Sequence, residues 1–210
     1  MSLPVPTYGV GPGVRLRGWT APDLAAFREW MRPHHEWHRW DGPYYPVPDD
    51  AAADALVARL ADSASAEARD PRGLGADGLP PHRVVVADAD DRLVGTCSWY
   101  WESAETQWAR MGVTVFDPAT RGRGIGREAL RAWTSYLFSV TDWVRLDVAT
   151  WSGNAAMLGV ARSLGLVEEG RFRRARVVEG VRYDAVVLGV LREEWAPTSA
   201  DVPRERPGLA

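Results

Sequence analysis

The sequence predicts an α/β protein of the α+β type, a central mixed, mostly antiparallel seven-stranded sheet flanked by about four helices. Three observations carry that expectation. β-branched and aromatic runs alternate with helically spaced apolar residues in the order β-α-α-β-β-β-α-β-α-β-β. A single strand–helix–strand crossover, over residues 107–150, stands among strands that otherwise read as hairpins, which does not suit a doubly wound sheet. Inside that crossover lies a glycine-rich turn, Arg121-Gly122-Arg123-Gly124-Ile125-Gly126-Arg127.

The elements follow in order. Residues 1–11, with Pro4, Pro6, Gly9 and Gly11, read as a flexible lead-in to one domain over 12–195. Val14 to Trp19 alternates like a strand, and Thr20-Ala21-Pro22-Asp23 starts a helix striped by Leu24, Phe27 and Met31. Asp50 to Ala61 is a second, alanine-rich helix, and a Gly/Pro loop covers 69–81. His82 to Asp88 and Arg92 to Trp101 form a hairpin turned at Ala89-Asp90-Asp91, and Gln107 to Phe116 is the strand that enters the glycine turn. Beyond it, Ala129, Leu130, Trp133, Leu137 and Phe138 fall at helical spacing. A strand over Val144–Thr150 leads to a helix over Asn154–Leu164 that Gly165 stops. The hairpin Val167–Val178 and Val181–Leu191, turned at Glu179-Gly180, closes the domain, and residues 196–210 read as a flexible tail.

A chain of 210 residues, 46% hydrophobic, can bury one core. The net charge of −3 gives no global field toward nucleic acid or anionic lipid. No lysine is present, which excludes Schiff-base chemistry on this chain, and Cys97 alone cannot form an intrachain disulfide or a cysteine-built zinc site. The first ten residues lack the pattern of a signal peptide, and the apolar run 185–191 is too short for a bilayer, so a soluble, cytoplasmic protein is expected.

A glycine-rich turn from strand into helix presents bare backbone N–H groups at the positive end of a helix dipole, which suits phosphate. Arg121, Arg123 and Arg127 add charge-assisted donors. The turn therefore reads as a pyrophosphate cradle, against the alternative that its glycines only shape a tight connection. Gly124-x-Gly126-x-x-Ala129 also fits a dinucleotide turn, with Asp142 or Asp147 as ribose ligand, although such a fingerprint belongs after the first strand of its unit.

The element order, the Arg121–Gly126 run and the pair Asn154-Ala155-Ala156-Met157-Leu158 and Ser163-Leu164-Gly165-Leu166 together resemble the GNAT superfamily of N-acetyltransferases. The C-terminal stretches Glu168–Arg171, Tyr183-Asp184 and Leu191–Trp195 are similar to its ribosomal-protein-alanine N-acetyltransferase-like branch. The resemblance implies acetyl-CoA as acyl-donor cosubstrate, its thiol end along Thr114, Val115 and Phe116. Its pyrophosphate would rest on Arg121, Gly122, Arg123, Gly124, Ile125, Gly126 and Arg127, and its pantetheine arm against Asn154. It implies direct attack of a neutral primary amine, a protein N-terminus or a small molecule, on the thioester. Two other readings remain open: a non-catalytic acyl-CoA-binding module and a Rossmann-type NAD-binding enzyme.

The sequence departs from the family where acid and base are usual. Ala161 stands seven residues after the asparagine in place of a tyrosine, Met157 three residues after it in place of a serine, and Met111 or Arg110 in place of a strand carboxylate. Base candidates come from the linker Pro33–Tyr45, which holds His34, His35 and His38, and its competing reading is a surface segment with packed aromatics. No metal is expected, because His34 and His38 lack an evident third ligand and a zinc-protease pattern would need histidine at Arg39. Trp37, Trp40, Trp99 and Trp101 (with Trp108) and the carboxylate of Asp41 (or Asp184) are the acceptor-site candidates, with core packing as the commoner fate of tryptophan. Arg171, Arg173, Arg174 and Arg176 could face an acidic acceptor or the coenzyme's 3′-phosphate, or form a solvated face. Neither a nucleic-acid nor a membrane partner is expected, and a homodimer is left open.

Overall fold

Val84, Val85, Val86 and Ala87 are consecutive and all fully buried, so their strand must be covered on both faces. The computed structural model, which describes residues 5–67, 70 and 73–195, shows how. Eight strands form one sheet: β1 (Thr7–Gly11), β2 (Val14–Arg17), β3 (Arg83–Ala87), β4 (Leu93–Ser103), β5 (Trp108–Val115), β6 (Arg145–Trp151), β7 (Val167–Val178) and β8 (Val181–Leu191). Their spatial order is β1-β2-β3-β4-β5-β6-β8-β7. Every neighbouring pair is antiparallel except β5 and β6, which the crossover helix joins in parallel.

Four helices flank the sheet: α1 (Ala21–Trp30), α2 (Asp50–Glu67), α3 (Ile125–Val140) and α4 (Ala155–Ser163). One core packs Leu130, Trp133 and Leu137 of α3 on Val84, Val86, Cys97, Leu146 and Leu188. The other packs Phe27 of α1 and Leu60 of α2 on Val85, Ala87 and Phe116. Alternation along β3 thus feeds both cores. Helix α1 begins where its sequence says, with Thr20 and Asp23 exchanging side-chain-to-backbone bonds in a capping box. Asp23 also receives the buried Arg17 guanidinium at 2.6 Å. No helix among the described residues is long and apolar enough to cross a membrane.

Two boundaries differ from expectation. Residues 7–11 are not a flexible lead-in but the strand β1, which is why the sheet has eight strands and not seven. The glycines there serve contact, since a Cβ at Gly9 would stand 3.0 Å from the Ala132 side chain of α3. Tyr8 beside it is buried, edge-on to Tyr136 at 5.1 Å. Helix α2 runs to Glu67, beyond the expected end at Ala61. The expected C-terminal tail, 196–210, lies outside the described residues, as do residues 1–4.

The feature that positions a site is the parallel pair. Strands β5 and β6 pair only at Ala109 with Leu146 and Arg110 with Asp147, although β5 continues to Val115 and β6 to Trp151. A buried knot pins the closed end. Fully buried Asp147 accepts Arg110 Nε at 2.6 Å and Trp108 Nε1 at 2.5 Å, and Arg110 Nη1 also meets Glu102 at 2.7 Å. Past that knot the strands part into a wedge.

Candidate functional site

The wedge opens onto the glycine turn. Gly122 and Gly124 have φ of +73° and +82°, left-handed values that only glycine adopts without strain. Gly124 caps α3 without a side-chain acceptor, and Glu128 N–H is the first amide to reach back to a helical carbonyl, Gly124 O at 3.0 Å. The amides of Ile125, Gly126 and Arg127 ahead of it have no intrahelical acceptor and point their partial positive charge outward. A Cβ at Gly126 would lie 3.7 Å from Val115 of β5 and 4.0 Å from Val160 of α4, ordinary contacts that place this residue between β5 and α4. Arg123 and Arg127 are exposed beside it. This is the arrangement the Arg121–Arg127 run predicts, and its chemistry suits a diphosphate.

Along β5 the backbone divides its duties. Phe116 N–H donates to Val94 O at 3.0 Å, and the Thr114 carbonyl sits against Gly95, so these two residues face β4. Strand alternation turns the backbone groups of Val113 and Val115 toward the wedge. Of the expected trio, then, only Val115 offers wedge-facing backbone; Phe116 is buried against Trp30, Trp37 and Phe27. Val113 is the position that sequence reading missed, and the strand's alternation is the signal that finds it.

The linker between α1 and α2 straps across these elements. Glu36 meets Arg121 at 3.3 Å, while the same guanidinium contacts the Val115 and Phe116 carbonyls at 3.4 Å. Thr114 Oγ1 donates to Asp41 at 3.0 Å. Asn154 accepts Met157 N–H at 3.0 Å as the cap of α4 and donates from Nδ2 to the Trp40 carbonyl at 3.0 Å. Its amide is thus committed at both ends, and it is 8% exposed. Three residues expected to meet the cofactor, Thr114, Arg121 and Asn154, are each held by one linker residue.

The three linker histidines, His34, His35 and His38, collect in one cleft of about 430 Å³, with Glu36, Arg39 and the β7–β8 turn at Val178 and Glu179 among its walls. His38 Nε2 lies 3.1 Å from the Arg32 carbonyl, to which it can only donate, leaving Nδ1 as the acceptor of the neutral ring. Burial holds the His38 imidazole below its ordinary value, against the pull of that bond. His34 is exposed, and His35 packs on the Trp30 ring at 4.5 Å.

The tryptophan candidates divide. Trp40 is half exposed at the strap. Trp37 is buried, donating to the Trp30 carbonyl at 2.7 Å. Trp99 and Trp101 do not join them: both pack with Trp143 at 4.6 and 4.8 Å in the core under α3, because their strand positions face that layer. Trp108 serves the Asp147 knot. Asp184 is taken by Arg171 at 3.0 Å and by the Arg174 amide at 2.9 Å, which hold its carboxyl below the usual range. Among the arginines of β7, Arg171 is thereby ion-paired and Arg176 lies over the Tyr44 ring at 4.7 Å. Ala161 and Met111 are buried apolar side chains, and Arg110 belongs to the knot, so the positions of the usual acid and base offer none.

Comparison with known proteins agrees with this geometry. Residues 14–167 match the model of the Acetyltransferase (GNAT) domain. An uncharacterized N-acetyltransferase of the SPbeta prophage of Bacillus subtilis, YokL, is 23% identical over 113 residues, covering 54% of this chain and 63% of that protein. The chain thus spans under two thirds of that relative's length. Ribosomal-protein-S5-alanine acetyltransferase from Vibrio fischeri superposes with a TM-score of 0.68 at 20% identity, over 90% of this chain and 98% of that one. Spermidine N-acetyltransferase from Vibrio cholerae, solved with CoA and spermine, gives 0.68 at 15% identity, over 88% and 99%. These two likenesses are likenesses of fold. With the parted parallel strands, the glycine cradle at α3 and a family match over most of its length, the chain belongs to the GNAT acetyltransferase family.

Proposed function

We propose that this protein moves an acetyl group from acetyl-CoA to a primary amine. One observation carries the reading: the wedge between β5 and β6 ends at three unpaired helix amides flanked by Arg123 and Arg127. A pantetheine arm in the wedge would add to the free edge of β5 at Val113 and Val115, and its diphosphate would lie on the amides of residues 125–127. The acyl carbonyl would then sit beside β5, where a strand N–H stabilises the oxyanion formed as the amine attacks. The thiolate leaves without needing a strong acid, and the amine must lose its proton to a base or water. His38, neutral near pH 7 with its Nδ1 lone pair available, has the state a base requires.

The acceptor is a small polyamine-like amine or a protein N-terminus, the two classes borne in the names of the structural neighbours. The domain, which begins with β1 at Thr7 and runs to residue 195, acts in the cytoplasm. A non-catalytic acyl-CoA-binding module is the second reading, favoured by the missing acid and base at Ala161, Met157 and Arg110.

The test is thermal unfolding with acetyl-CoA, free CoA and NADH, followed by turnover on spermidine and on an alanine-ended peptide. A ligand at 100 times its Kd adds about 2.7 kcal/mol, roughly 5–10 °C for a chain of this size. Stabilisation by the CoA compounds alone is expected. Gly126→Glu, whose Cβ meets only ordinary contacts, should keep the fold and lose the shift, because its carboxylate enters the diphosphate space. A shift with NADH alone, or one that Gly126→Glu leaves intact, overturns the reading. Binding without turnover on any amine selects the second one.

A further inference from the structure

The linker begins by turning back on α1. His35 N–H donates to the Arg32 carbonyl at 3.3 Å, and this turn lays His34 and His35 over the last turn of the helix, where Glu29 stands. One ligand atom from each of Glu29, His34 and His35 lies within 4.8 Å of the other two. The two imidazole rings are 4.1 Å apart between centroids.

The cluster has an unsatisfied atom at its centre. His35 Nε2 is sealed from solvent and makes no hydrogen bond; Glu29 Oε1 stands 3.8 Å from it. A buried ring nitrogen without a partner is uncommon and calls for a ligand. The other carboxylate oxygen is already placed, since Arg32 Nε holds Glu29 Oε2 at 2.6 Å and leaves Oε1 for the histidines. The site also sits at the C-terminal end of α1, where the helix dipole favours a cation.

We infer that Glu29, His34 and His35 form a zinc-binding site, a function separate from acyl transfer. Two imidazoles and one carboxylate are a zinc donor set, leaving a fourth position for water on the side of the histidine cleft. Ligand atoms in such a site stand roughly 3.4 Å apart, given bonds of about 2.0–2.1 Å. Closing the present spacing takes side-chain rotation in two exposed residues and one half-buried one. Bound zinc ties the start of the linker to α1 and fixes the strap that crosses the wedge. It also separates the three histidines by role: His34 and His35 become ligands, and His38, outside the cluster, does not.

The experiment uses the full chain, free of any purification tag and stripped with EDTA, titrated with Zn²⁺ by calorimetry and with Co²⁺ by visible absorption. One equivalent of Zn²⁺ should bind, and Co²⁺ should give the intense d–d bands of a four-coordinate N/O site. E29Q, H34Q and H35Q should each weaken zinc at least about tenfold, with H38Q within about twofold of the parent because it lies outside the cluster. Circular dichroism confirms the fold of each variant; should H35Q unfold, the exposed H34Q decides. Absence of saturable binding, binding that survives H34Q, or equal damage from H38Q overturns the site.

Discussion

Asn154 shows how one side chain can serve fold and site together. Its carbonyl caps α4 and its amide holds the linker through Trp40, so replacement by alanine loses a cap worth about 1 kcal/mol and frees the strap as well. His38 is the histidine whose ionisation the fold visibly sets. Burial lowers its value, so the unfolded chain binds the proton more readily than the folded one. Its contribution to stability is therefore whole above the unfolded value, about 6.5, and is lost progressively as pH falls from there through the lower folded value. NMR titration of its ring should give a midpoint below that of free histidine. H38Q should flatten the acid side of the stability–pH curve, as read by urea unfolding at pH 7.5 and pH 5.5. A midpoint at or above the free value would contradict the burial seen here.

At the scale of elements, the wedge exists because one end of the β5–β6 pair is locked. Asp147 is fully buried, pairs with Arg110 across β5 and β6, and holds the side chains of Arg110 and Trp108 beside the two paired positions. Removing its charge strands a mostly buried guanidinium, which costs about 3–5 kcal/mol where no other partner exists. Arg110 keeps Glu102, so D147N should lie near the lower bound, about 3 kcal/mol by urea unfolding. It should also weaken CoA binding without any contact to the cofactor. Conversely, a loss under about 1 kcal/mol would mean that the knot is not what holds the strands together. From sequence, Asp147 read as a ribose ligand of a rival fold, because nothing local shows that Trp108 and Arg110 stand beside it. The hairpin β7–β8 was legible to the residue, because Glu179 and Gly180, with φ of 49° and 80°, give the turn that divides its two β-branched runs. The glycine turn into α3 was legible as well, since its geometry is written in consecutive residues.

For the whole molecule, what stayed hidden is whatever chain reversal brings together. β1 escaped notice because its glycines look like a loop until Ala132 of α3 is placed against them. Trp99 and Trp101 looked like pocket walls until the layer they face was known. The Glu29, His34 and His35 group has no helical or zinc-motif spacing and arises only from the turn at Arg32–His35. The two cores, by contrast, follow directly from β3, whose uninterrupted apolar run announces cover on both sides.

The strap from Glu36 to Asp41 has a thermodynamic consequence. It touches Arg121, Thr114 and Asn154 on one side and borders the histidine cleft on the other, so occupants of the two sides share a single mechanical part. Whatever factor a coenzyme in the wedge imposes on amine affinity, the amine must return to the coenzyme, because linkage between two binding equilibria is reciprocal. Coenzyme A affinity measured with and without saturating spermidine should change by that same factor, typically about 5–150-fold when sites are coupled. Asp41→Ala combined with Glu36→Ala, which removes two of the strap's three ties, should bring the factor toward unity.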